Sequence, residues 1–310
     1  MRTEVEHRRF RTWESDASAA AAPWRIIAKY GFLRMSRTWY VQLLAVLTVV
    51  VAVTALASMA QSMSDGGAPG YREVVGTSVT LLIPGIAFLV LIGMPILAED
   101  VRFNAHLFYF SRPLRPADYL RGKATQVAAT VGGASLVPMA ALLVTGAILG
   151  SAAGVPASIH GRPVTDAERD SYGLEHIVGL GDWLFTAVVI LAGSFLILAF
   201  LTAATLLASS YTKRGWHAGM AVVAAVGGWS LLGAVADFGA KGAYRDLFGP
   251  VGWFNLVLNT PLSLHFRPSG VSAPEGAQAA VPLAYVIMIA ATAAIVKATY
   301  DRVRRVEAMA

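Results

Sequence analysis

The sequence predicts an all-α membrane protein, with an N-terminal interfacial amphipathic helix, six transmembrane helices and both termini in the cytoplasm. Three observations carry that reading. The first is composition: 56% of the 310 residues are hydrophobic, 14% are charged and the mean hydropathy is +0.58, whereas soluble domains carry about 25% charged residues. The second is distribution, because the charges fall in clusters between long neutral runs, as in a chain that crosses a bilayer repeatedly. The third is that the basic residues gather on alternate connections.

Crossing a hydrocarbon core takes roughly 20 apolar helical residues. Six stretches meet that demand, at 39–60, 74–98, 125–150, 184–209, 215–236 and 280–299. None contains Asp, Glu, Lys or Arg except Lys297, close enough to its helix end for the ammonium to reach the headgroups along its own stem. Trp39, Tyr40, Trp183, Tyr211 and Trp216 fall near span ends, where amphipathic rings prefer the interface. Pro84, Pro95 and Pro138 lie inside spans and predict kinks.

With the N-terminus inside, 19 of the 25 Lys and Arg lie on the cytoplasmic side, against 9 of the 19 Asp and Glu. The outside holds 6 basic and 10 acidic residues. This asymmetry is the positive-inside rule, and it orients the chain. It also accounts for the pI near 9.7, so nucleic acid is not expected as a partner. There is no cysteine, which excludes disulfides, thiol nucleophiles and cysteine metal sites. The resulting plan has a cytoplasmic tail at 1–22, without the apolar core of a signal peptide, and an interfacial helix at 23–38. A six-span domain occupies 39–300, with external loops at 61–73, 151–183 and 237–279, and a second tail follows at 301–310.

Pro23 suits the first position of a helix. On a 3.6-residue period Trp24, Ile27, Ala28, Gly31 and Met35 share one face, while Arg25, Lys29 and Ser36 share another. The pattern fits a helix lying on the membrane with its basic face toward anionic headgroups, and Trp24, Arg25, Ile27 and Lys29 are its expected interface residues. A plain cytoplasmic extension of the first span is the alternative.

Ion-coupled transporters usually keep carboxylates or histidines within the membrane to carry the coupling ion. Here no acidic residue and no histidine lies well inside a predicted span, and His217 stands at a span edge. Nor is there a phosphate-binding P-loop, since Gly122-Lys123 is followed by Ala124 and lacks the upstream glycine. Energy for any transport is therefore expected from another chain.

The segment 99–123 joins the second and third spans. It opens with Glu99 and Asp100, then carries Leu107, Phe108, Tyr109 and Phe110 in a basic cytoplasmic setting with Arg112 and Arg115. Pro113 and Pro116 interrupt any helix, and Pro116-Ala-Asp can start another. Exposed aromatics of this kind suit docking of a partner protein; folding back onto the bundle is the alternative. The run Leu107-Phe-Tyr-Phe-Ser-Arg-Pro, followed by Gly122-Lys123 and preceded by the acidic pair, resembles type-2 ABC transporter permeases. In that family an acidic end of the second span leads to a leucine-rich segment, a Ser-Arg-Pro-like turn and a Gly-Lys entering the third span. Asn104-Ala105 stands where the family often has Gly-Thr.

What the resemblance implies is a permease subunit in the cytoplasmic (inner) membrane, without enzymatic activity or cofactor of its own. Glu99, Asp100, Leu107, Phe108, Tyr109, Phe110, Arg112 and Arg115 would receive a separate ATPase subunit, which holds ATP and Mg. A second permease subunit, identical or different, and membrane lipid are the other implied partners, and export is the family's usual direction. The resemblance further implies short re-entrant helices before the last span. Leu247 to Leu258 is apolar enough for one, and equally for an interfacial helix outside.

Two rival readings are an integral-membrane enzyme of the prenyltransferase kind and a non-transporting envelope component driven by an ABC-like ATPase. Asp166 and Asp170, spaced to share a helix face, would serve the enzyme as magnesium ligands. Arg169 between them and the external placement of the loop favour a solvated segment instead. The small residues Gly146, Gly150 and Gly154 favour close helix packing within one subunit.

Overall fold

The computed structural model describes residues 22–64, 71–89, 91, 94–102, 115–150, 179–236, 250–266 and 276–308, together with 158–159, 162–163, 165, 167 and 177. Among the predicted features, the tail 1–21, the docking residues Leu107, Phe108, Tyr109, Phe110 and Arg112, and Asp166 and Asp170 lie outside the described residues.

The described chain is helical apart from one antiparallel pair of two-residue strands, Ser158–Ile159 (β1) and Arg162–Pro163 (β2). In order, the helices are α1 (Pro23–Ser36), α2 (Trp39–Ser64), α3 (Tyr71–Phe88), α4 (Met94–Arg102) and α5 (Pro116–Gly150). They continue with α6 (Leu180–Tyr211), α7 (Gly215–Ala236), α8 (Pro250–His265) and α9 (Ala277–Ala308). Four of them, α2, α5, α6 and α9, are long and apolar enough to cross a membrane, and α3 and α7 contribute the shorter apolar stretches Val74–Phe88 and Gly215–Val226. Their outward faces agree, since Leu43, Val46, Leu47, Val50, Val188, Phe195, Val286 and Ile289 are all exposed. Soluble monomers rarely present contiguous apolar surface on that scale.

Helix α6 is the axis of the bundle. Half of its apolar window is buried, against 17% for α2 and for α9, and it packs on α3, α4, α5, α7, α8 and α9. Small residues permit the approach. At Gly193 of α6 a Cβ would stand 2.8 Å from the Val257 carbonyl oxygen of α8, so only glycine admits α8 at this distance. The same carbonyl explains how α8 tolerates an internal proline. Pro261 has no N–H to offer the carbonyl four residues back, which is that of Val257, and the Tyr285 hydroxyl of α9 donates to it at 3.0 Å instead. At the far end of α8, His265 Nε2 meets Asp182 Oδ1 of α6 at 3.1 Å.

The predicted span 74–98 is described in two α-helical pieces, α3 to Phe88 and α4 from Met94, with Leu89 and Leu91 between them in π-helical conformation. Pro95 lies in the first described turn of α4. Ser209 of α6 braces α4, its Oγ accepting from Leu97 N–H at 3.1 Å and from Ala98 N–H at 2.9 Å. The third stretch is longer than predicted. It begins at Pro116 instead of residue 125, so the last part of the segment 99–123 is the first two turns of α5.

A helix, α1, runs from Pro23 to Ser36 within the predicted 23–38, and none of its residues is buried. Trp24, Ile27, Ala28, Gly31 and Met35 are half-buried, and the surface they meet is α5. Arg25 and Lys29 are exposed, as are Ile26, Tyr30, Phe32 and Leu33. The amphipathic stripe is thus the protein-facing side, and a second apolar row at 26, 30 and 33 points outward.

Candidate functional site

The predicted docking segment joins the C-terminus of α4 to the N-terminus of α5. Arg115, exposed, precedes α5, and its carbonyl accepts the N–H groups of Asp118 and Tyr119. Pro116 at the first helical position and Asp118 in the first turn both favour a helix start there. Tyr119 and Lys123, four residues apart, share a face of α5, and both are buried.

That face meets the acidic end of α4. Lys123 Nζ lies 2.7 Å from Asp100 Oδ2, with side-chain exposures of 11% and 15%. The Tyr119 hydroxyl donates to the same carboxylate oxygen at 2.5 Å, and the lysine ammonium stands 5.7 Å from the centroid of the Tyr119 ring. One carboxylate therefore holds both a cation and a phenol, and charge-assisted bonds of this kind are the stronger ones. Glu99, its neighbour, is exposed.

Beside Lys123, Gly122 is where α1 crosses α5. A Cβ there would lie 2.8 Å from the Ile27 side chain and 3.0 Å from the Trp24 carbonyl oxygen. Gly31 of α1 does the reciprocal service for Gln126 of α5, whose amide Nε2 lies 3.1 Å from Met35 Sδ. Between α1 and α4, floored by α5, is a cleft of about 420 Å³. Its lining includes Arg34 and Met35 from α1, Glu99 and Asp100 from α4, and Lys123 and Gln126 from α5.

Of the residues singled out from sequence, the structure brings Asp100 onto Lys123, keeps Glu99 and Arg115 exposed, and puts Trp24 and Ile27 against α5 with Arg25 and Lys29 outside. Tyr119 and Ser209 were not anticipated as site residues. The i, i+4 spacing of Tyr119 and Lys123 after Pro116 was a readable signal for the first. Nothing local marks Ser209, whose partners are more than a hundred residues away in sequence. Chemically the arrangement is a mechanical junction. It ties α1, α4 and α5 together at the base of the segment running from 103 to 114.

No known protein family matches the chain, and no curated protein matches it. The class defined by the fold is a multi-pass helical membrane protein.

Proposed function

We propose that the chain is the membrane-spanning permease subunit of an ABC transporter, an exporter, driven by a separate ATPase subunit that docks on the segment 99–123. Six crossings, with α3–α4 and α7 completing the set and both termini in the cytoplasm of the inner membrane, belong to this reading. A second permease subunit completes the assembly. The observation that carries the proposal is the Asp100–Lys123 pair. The acidic residue and the Gly-Lys that carry the resemblance to type-2 permeases join at the base of the aromatic docking segment.

The mechanism follows from how α4 is attached. Held to α6 by Ser209 and packed on α6 and α7, α4 acts as a short lever. Closure of the ATPases displaces the docking segment. The ion pair transmits the displacement to α4 and α5 together, and α4 moves the central helix α6. Elements whose two arrangements differ by small shifts of packed helices suit such transmission.

Purification from the native membrane tests the proposal. Copurification of an ATP-hydrolysing subunit supports it, whereas a magnesium-dependent transferase activity of the lone chain replaces it with the enzyme reading.

A further inference from the structure

The cleft between α1 and α4 carries one cation and one anion that no described residue matches. Asp100 and Lys123 neutralise each other on its floor. Arg34 on the α1 wall and Glu99 on the α4 wall have neither an ion pair nor a hydrogen bond among the described residues, and both are exposed. A pocket offering opposite charges on opposite walls suits a ligand that carries both. At about 420 Å³ it lies within the roughly 300–1,000 Å³ of small-molecule sites.

The surroundings specify the rest of the ligand. Ile26 and Tyr30 line the lip of the cleft, and with Leu33 they form the outward apolar row of α1. The next helix in the chain, α2, also exposes Leu43, Val46 and Leu47, along a stretch long and apolar enough to cross a membrane. A molecule seated here has its polar part between Arg34 and Glu99 and apolar surface leading away from it.

We infer that the cleft between α1 and α4 binds the headgroup of an ethanolamine-type phospholipid, its phosphodiester on Arg34 and its primary ammonium on Glu99. The ammonium donates N–H bonds to the carboxylate, which the trimethylammonium of a choline lipid has no N–H to make. A glycerol headgroup has no cation for Glu99. Bound there, the lipid bridges the helix that lies against α5 and the lever that leads to the docking segment.

The test is native mass spectrometry of the purified full chain after equilibration with ethanolamine, choline and glycerol phospholipids of identical acyl chains at equal concentrations. The wild type is expected to retain the ethanolamine lipid about fivefold over either competitor, the effect of one partly exposed ion pair. Glu99→Gln abolishes that preference. Arg34→Gln lowers retention of all three lipids, and Arg34→Lys restores it. Both side chains are exposed, so the variants are expected to keep the wild-type size-exclusion profile. Equal retention of the glycerol lipid by the wild type, or an unchanged preference in Glu99→Gln, overturns the inference. Displacement by millimolar free phosphoethanolamine assigns the cleft to a soluble ligand and also overturns it. No ATPase is present in the experiment, so its outcome is independent of the docking proposal.

Discussion

Asp100 of α4 and Lys123 of α5 stand 2.7 Å apart, with the Tyr119 hydroxyl on the same carboxylate oxygen. Removing one member of a largely buried pair leaves the other charge without compensation, at a cost of about 3–5 kcal/mol when burial is complete. Since both side chains keep some exposure, Asp100→Asn and Lys123→Met are each expected to destabilise the protein by about 2–3 kcal/mol. The double variant should cost less than the sum, because it strands no charge. Thermal unfolding of the four proteins in one detergent measures the coupling, and strict additivity would show that the pair does not tie α4 to α5.

Tyr285 and Pro261 form a second coupled pair, through the Val257 carbonyl. Tyr285→Phe removes the hydroxyl that replaces the N–H Pro261 lacks, and is expected to cost about 1–3 kcal/mol. In a Pro261→Ala background the backbone N–H at 261 becomes available to Val257. The Tyr285→Phe penalty should then fall by at least half. An equal penalty in both backgrounds would mean that the tyrosine acts through packing alone.

Ser209 is expected to govern the stability of α4 locally. Ser209→Ala withdraws the acceptor from Leu97 N–H and Ala98 N–H, and losing such a hydrogen bond typically costs about 1 kcal/mol. Amide hydrogen exchange within 94–102 should quicken by roughly fivefold, while exchange in the middle of α5 stays as in wild type. Unchanged protection of α4 would remove it from the role of a lever seated on α6.

Much of this architecture is legible in the sequence, and the exceptions have physical causes. Five of the six apolar stretches each lie within one helix, because a run of about 20 apolar residues with no charge has few other folded options. The hold of Ser209 on α4 is not legible, because Leu97 and Ala98 lie more than a hundred residues away in sequence. Nor is the donation of Tyr285 to the Val257 carbonyl that Pro261 leaves without its helical N–H. The periodicity of α1 identified its apolar stripe, yet not what covers it, since a stripe facing lipid and one facing α5 have the same pattern. Glu99, Asp100, Gly122 and Lys123 were marked by sequence as landmarks. Their convergence depends on how α4 and α5 cross the bundle, which no local pattern records.

Orientation is tested by cysteine accessibility, and the prediction rests on the Lys and Arg asymmetry. In intact cells Ala167→Cys and Ser272→Cys should react with an impermeant reagent. Ser111→Cys and Ala308→Cys should react only after the membrane is opened. External labelling at residue 111 would put the docking segment on the wrong side for an ATPase.

The most direct measurement concerns the aromatic residues between the paired ends. Desolvated aromatic anchors dominate small interfaces, each costing about 2 kcal/mol or more when truncated, so two independent losses lower affinity by roughly several hundredfold. Phe108→Ala with Tyr109→Ala is therefore compared with Arg115→Ala, the exposed residue before α5, by pull-down of the copurifying ATPase and by ATPase rate in liposomes. The expected result is a folded, inserted double variant that has lost ATPase binding or its coupling to transport, with Arg115→Ala much less affected. A double variant that binds and couples like wild type would contradict docking on the segment 99–123.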